Sequence, residues 1–220
     1  MSNRLWFKFA KGGKMKYIGH LDLLKIIQAA IRRAALPIAY SQGFNPHQRL
    51  SFALPLPLGM DSVAEYLELQ LNDEANEAFY NPTQVQTALN AQLPDGLSML
   101  EGWNIPSPTS TPSPAAAVSA ADYRLNLPNA NIESILQAKQ LLVMKKSKSG
   151  IKETDIRPDI LSMEREITGS ILVRLSAGSA RNLSPLSLPF DDFAQSKVTR
   201  LSLLSSKNGK LVPLQEITQP

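Results

Sequence analysis

Leu5, Phe7 and Phe9 alternate with Arg4, Trp6 and Lys8, and a period of two predicts a strand over 4–10 with one charge-rich face. After a turn at Lys11-Gly12-Gly13-Lys14 the spacing changes. Leu23, Ile26, Ile27, Ala30, Ile31 and Ala34 recur at helical intervals, opposed by Lys25, Gln28, Arg32 and Arg33, so 20–35 predicts an amphipathic helix that Pro37 stops. Asp22 near its start and Arg32 and Arg33 near its end match the helix dipole. Short strands are predicted at 38–40 and 50–54, around a Gly-Asn-Pro loop. A further alternating strand is predicted at 65–71, a proline-opened helix at 82–93 and a strand at 97–105. That order fits a split βαβ unit.

Residues 106–117 read PSPTSTPSPAAA, a proline- and hydroxyl-rich run that predicts a linker. Beyond it the order partly repeats. Strands are expected at 121–127, 141–144, 151–156, 162–167, 170–175 and 198–204, with a helix at 131–139 and a tight hairpin at Asn208-Gly209. The expectation is an α+β protein of two ferredoxin-like (split βαβ) domains in tandem. Its parts are an N-terminal α+β domain at 1–105, a Pro/Ser/Thr-rich linker at 106–118 and a C-terminal α+β domain at 119–220.

Composition changes this picture in two places. The 220 residues contain no cysteine, which excludes disulfides, thiolate catalysis, zinc ribbons and cysteine-ligated iron–sulfur clusters. The chain shows neither a signal-like apolar core nor a run approaching about 18 apolar residues, so the expected location is cytoplasmic, with no membrane partner. The net charge of +4 conceals a polarity: residues 1–50 carry +8 and residues 51–100 carry −7. A basic first block points to a polyanion-facing surface, and the acids of 61–77 to a solvated edge or a protein-docking face.

Four clusters could carry chemistry. Lys14, Lys16, Tyr17, His20 and Asp22 surround a strand-to-helix junction, where free amides and lysines suit phosphate and a tyrosine can stack; helix capping with solvated lysines is the plainer account. Gln42, Asn45, His47, Gln48 and Arg49 share an irregular loop with Phe44 nearby, a set fitted to bases or phosphates, or to a loop folded on its own core. Lys145, Lys146 and Arg157 belong to a cationic stretch that could meet a nucleic-acid backbone or form a charged hairpin tip. Gly178, Ser179 and Arg181 resemble an anion-holding turn. His20 and His47 are the only histidines, and no short ligand spacing joins them, so no metal, cofactor or catalytic residue is expected.

The stretch KMKYIGHLDLLKIIQAAIRRAALPIAYSQGFNPHQRLSFALPLPLG at 14–59 resembles the radical-SAM-linked protein family, a bacterial domain of unknown function. Weaker matches lie at 152–158, 178–185 and 198–214. That family occurs as a separate protein or fused behind a cobalamin-binding radical S-adenosylmethionine (SAM) enzyme. The resemblance implies a radical SAM enzyme as partner and an accessory role in binding an RNA or protein substrate for modification, with presentation of an RNA substrate as the leading form. This chain lacks the CxxxCxxC cluster motif and cannot perform that chemistry alone. Gly19-His20 ahead of a helix, with the implied duplication, is also loosely similar to RNA-binding and RNA-processing proteins with paired ferredoxin-like domains.

The leading expectation is therefore a non-catalytic accessory protein. Its RNA-binding residues would be Lys14, Lys16, Tyr17, His20, Gln42, Asn45, His47, Arg49, Lys145, Lys146, Arg157 and Arg181. The alternatives are a protein-docking scaffold that uses the acidic block and an RNA-processing enzyme that uses His20 or His47.

Overall fold

β1 (Arg4–Lys11), α1 (His20–Arg33), β2 (Leu50–Phe52), β3 (Asp61–Gln70), α2 (Pro82–Asn90) and β4 (Leu97–Asn104) follow the expected order. The computed structural model describes residues 4–72, 81–105, 111–147, 150–179, 181–190, 193 and 197–218. The strands pair antiparallel in the order β4-β1-β3-β2. The helical stripe is as the spacing predicts: Leu23, Ile27, Ala30 and Ile31 are buried against Leu5, Phe7, Phe9, Leu67 and Leu69. α2 starts where proline fixes its first turn and the Asn81 side chain accepts from the Thr83 amide at 3.0 Å.

The expected charge-rich face of β1 is not at the surface. Trp6 is fully buried and Arg4 nearly so. Glu68 explains both. Its carboxylate accepts from Arg4 Nη2 at 2.6 Å and from Trp6 Nε1 at 2.7 Å. Arg4 Nη1 donates to the Thr111 carbonyl at 3.1 Å. Paired and hydrogen-bonded in this way, a guanidinium tolerates burial.

The second half contains α3 (Pro114–Ala117), β5 (Ala120–Leu125), α4 (Glu133–Gln137), β6 (Leu142–Ser147), β7 (Gly150–Asp155), β8 (Ile160–Arg165), β9 (Ile171–Ser176), β10 (Val198–Lys207) and β11 (Lys210–Pro213). Its strands pair antiparallel in the order β10-β5-β9-β8. β6 and β7 form a separate two-stranded ribbon. β10 and β11 meet at Asn208-Gly209, both at positive φ (54° and 76°), as the hairpin signal predicts.

The α+β class holds, but two discrete tandem ferredoxin-like domains are not resolved. β3 and β10 pair in parallel, Asp61 with Thr199 and Ser62 with Arg200, and merge both halves into one nine-stranded sheet. One core likewise joins Trp6, Ala64 and Tyr66 of the first half to Tyr123, Val173 and Leu203 of the second. The reason is the second face of the first-half sheet, whose apolar side chains need cover. Residues 106–110 of the expected linker lie outside the described residues. Beyond them Thr111 is buried, Ser113 caps α3 through the Ala116 amide at 3.3 Å, and Ala117 and Val118 enter the shared core.

The acids expected as a solvated edge or docking face are engaged internally where they are described. Asp61 lies 3.6 Å from Lys197, Glu65 2.9 Å from Arg200 and Glu68 2.6 Å from Arg4, with their side chains 17, 7 and 15% exposed.

Candidate functional site

The basic first block folds around the two ends of β2. At one end, β1 passes into a 3₁₀ turn at Gly13–Tyr17, which Gly13 enters at φ 57°. Met15 points into the core and anchors the turn, leaving Lys14 exposed and Lys16 partly so. Lys11, buried below, donates to the Ile18 carbonyl at 2.8 Å. Burial lowers its pKa, against the pull of Glu65 and with the push of Arg200.

Lys16 Nζ stands 5.1 Å from the centroid of the Tyr17 ring, and that ring is 66% exposed. The Gly59 amide donates to the Lys16 carbonyl at 2.9 Å and brings the exposed Leu58 alongside. Gly19 precedes α1 with no side-chain cap, so the first amides of the helix are not taken by a neighbour's oxygen. Asp22 pairs with Lys25 at 3.2 Å on the surface instead. His20 sets its ring edge-on to Phe52, centroids 5.3 Å apart.

At the other end of β2 the loop 41–47 is closed by its own first and last residues. The Ser41 amide donates to the His47 carbonyl at 2.9 Å, and the His47 amide to Ser41 Oγ at 3.1 Å. Ser41 Oγ also lies 3.0 Å from His47 Nδ1. Gln42 and Asn45 stay exposed, and the Phe44 ring at the tip is wholly in solvent. Arg49 donates to Gln70 Oε1 at 3.0 Å. Gln48 is inverted relative to Phe44: it is 4% exposed, and both its amide atoms are buried without a hydrogen-bond partner.

The two clusters therefore flank one short strand. Phe52, beside His20, pairs with Leu67, while Leu50, next to Arg49, pairs with Leu69. Two residues of strand separate those pairs by about 7 Å.

The second-half candidates lie elsewhere. Lys145 is half-buried on the β6–β7 ribbon, opposite Lys152; Lys146 is placed only by its register with Ile151. Arg157 donates to the carbonyls of Ala138, Ile160 and Leu136 at 3.2, 3.2 and 3.3 Å, a set that braces the root of the ribbon. Arg181 Nε donates to Asp159 at 2.5 Å, and that bond raises its pKa. Gly178 beside it lies against the chain at Val118.

Sequence reasoning missed Leu21, Tyr40 and Leu58 as exposed apolar members of the basic surface. Leu58 had a signal: it immediately precedes a glycine, Gly59, which sits at φ 83° in a surface turn. Leu21 had none, because a helix start fixes no burial by itself. Among the described residues no three His, Asp or Glu side chains group closely enough to hold a metal ion, and no helix is long and apolar enough to cross a membrane.

The fold and this surface define an α+β protein whose exposed chemistry is cationic and aromatic. Over residues 4–185 the chain matches the family described as an uncharacterized protein conserved in bacteria, DUF2344, and belongs to it. The 198–214 stretch lies beyond that match. No curated protein matches the chain.

Proposed function

We propose that this protein is a non-catalytic accessory component of a radical SAM enzyme and that it binds RNA for that enzyme through the first-half surface. The observation that carries the reading is the pairing of cations with bare rings on both sides of β2. Lys14 and Lys16 stand with Tyr17 on one side and Arg49 with Phe44 and Tyr40 on the other, and the imidazoles of His20 and His47 add hydrogen-bonding groups beside them. Lysines attract phosphate without regard to sequence, while unpaired bases stack on exposed rings. The family's association with radical SAM enzymes supports the partner. The recurrence of one pairing order in both halves supports a duplicated ferredoxin-like origin with fused sheets. Such a role belongs in the cytoplasm.

Filter binding with transfer and ribosomal RNA fragments across a salt series tests the reading. Replacing Lys14 and Lys16 with alanine should weaken binding and flatten its salt dependence. Each single-strand phosphate that the variant no longer neutralises should lower the slope by roughly 0.7. Wild-type protein that holds no RNA above the level of an unrelated basic protein defeats it. The docking scaffold based on the acidic block has less support, since Asp61, Glu65 and Glu68 already face cations of the same chain.

A further inference from the structure

The β6–β7 ribbon has a property that the RNA reading does not use. Among the described residues its two strands pair only with each other, so both outer edges present backbone donors and acceptors. The register places Leu142 opposite Asp155, Met144 opposite Glu153 and Lys145 opposite Lys152. Leu142, Met144 and Ile151 therefore share one face with Glu153 and Asp155, and the three apolar residues are 52, 68 and 68% exposed. Lys145 and Lys152 share the other face as a directly opposed like-charge pair, an unfavourable arrangement for a ribbon standing alone.

The ribbon is nevertheless held firmly at its root. Asp155 Oδ1 accepts from the amides of Leu141 and Arg157 at 2.9 and 3.0 Å, and Leu141 and Val143 pack on the shared core. A braced ribbon whose one face exposes three apolar side chains beside the carboxylate of Glu153 is a presented surface.

We infer that an edge of this ribbon takes up a strand of a partner protein in which acidic and apolar residues alternate. An added strand places successive side chains on opposite faces. Its apolar residues cover Leu142, Met144 and Ile151, and its carboxylates reach Lys145 and Lys152. The other occupants fit less well. Two ribbons of the same chain pairing about a two-fold axis would bring their lysine faces together. RNA would use the lysines and leave the apolar face wet. A lipid surface that buried the apolar face would point Lys145 and Lys152 away from its headgroups.

The probe is a short labelled peptide alternating valine and glutamate, titrated by anisotropy into the full-length protein at low and high salt. Binding should weaken with salt. The double variant M144S/I151S should bind about tenfold more weakly or worse, with an unchanged thermal melt because both side chains stand in solvent. The pair K145Q/K152Q should lose the salt dependence. A peptide alternating serine and glutamate should bind as poorly as M144S/I151S binds the original. Bound peptide should also slow amide exchange along one outer edge of the ribbon.

No binding of the valine–glutamate peptide overturns the inference, as does equal binding of the serine version. So does capture of oligouridylate or of anionic vesicles with the same dependence on Met144 and Ile151. Sedimentation that shows a dimer abolished by M144S/I151S would overturn it in favour of a second copy. None of these results bears on Lys14 or Lys16, so the RNA reading stands or falls separately.

Discussion

Arg200 and Glu65 meet at 2.9 Å at the point where β3 and β10 part, with their side chains only 1 and 7% exposed. Beyond Ser62 the edge of β3 passes from β10 to β2, and the guanidinium fills the wedge. It also donates to the Leu54 and Pro55 carbonyls at 2.9 and 3.2 Å and to the Tyr123 hydroxyl at 3.3 Å. Burial alone would lower the pKa of Arg200, but Glu65 and Tyr123 outweigh it and raise it.

Removing one partner leaves a buried charge alone. E65Q or R200M should each lower stability by about 3–5 kcal/mol, and the double change to apolar residues of similar volume should recover most of that loss. Urea unfolding of the three variants measures it. A double variant no better than the singles would show that the wedge needs the guanidinium's carbonyl hydrogen bonds more than its charge.

Tyr66 is the natural alkaline probe. Burial, followed by the charge of Glu101, raises its pKa well above the ordinary 10.0. Its hydroxyl donates to Gln215, and its ring stacks on Trp103 with centroids 6.3 Å apart. A phenol whose folded pKa is raised contributes stability that is complete below the unfolded value and is lost as pH climbs above it. Ultraviolet titration should therefore show one tyrosine ionising late, together with unfolding. Y66F should flatten the decline in stability above about pH 10.

Gln48 should tolerate an apolar replacement better than its burial suggests. Both amide atoms lack partners, and an unpartnered buried polar group costs about 1–3 kcal/mol. Q48M should raise the melting temperature by roughly 2–12 °C for a chain of this size. A lower melting temperature would show that the amide is satisfied in solution.

Gly178 answers a different question. It sits at φ 122°, and a Cβ there would lie 2.3 Å from the Val118 carbonyl oxygen. G178A should cost about 2 kcal/mol or more, since backbone must shift to admit it. Gly19 has φ −70° and open space around it, so G19A should leave thermal stability nearly unchanged. Equal melting temperatures for the two variants would refute the close approach at Val118.

Much of the fold was legible because its signals are local. The stripe from Leu23 to Ile31, the proline-opened α2 and the Asn208-Gly209 turn each act within a few residues. The union of β3 with β10 had no such signal: Ser62 pairs with Arg200, and neither residue advertises a distant partner. For the same reason Trp6 and Arg4 read as an outer face until Glu68 is found beneath them. The candidate surface was half legible. Lys14 to His20 and Gln42 to Arg49 are contiguous runs, but their spacing in space depends on where β2 docks. Arg157 and Arg181 read as free cations because carbonyl and carboxylate partners leave no mark in sequence.

The late arrival of β10 also governs how the chain must be made. Glu65 precedes Arg200 by 135 residues. At about 5–20 residues per second, synthesis takes on the order of ten seconds to cross that interval. Throughout it the nascent first half carries an unfinished sheet margin and a bare face around Trp6 and Tyr66, the two features that recruit neighbouring chains. Completion therefore waits on the ribosome, and holding chaperones have their longest opportunity before the C-terminal strands emerge.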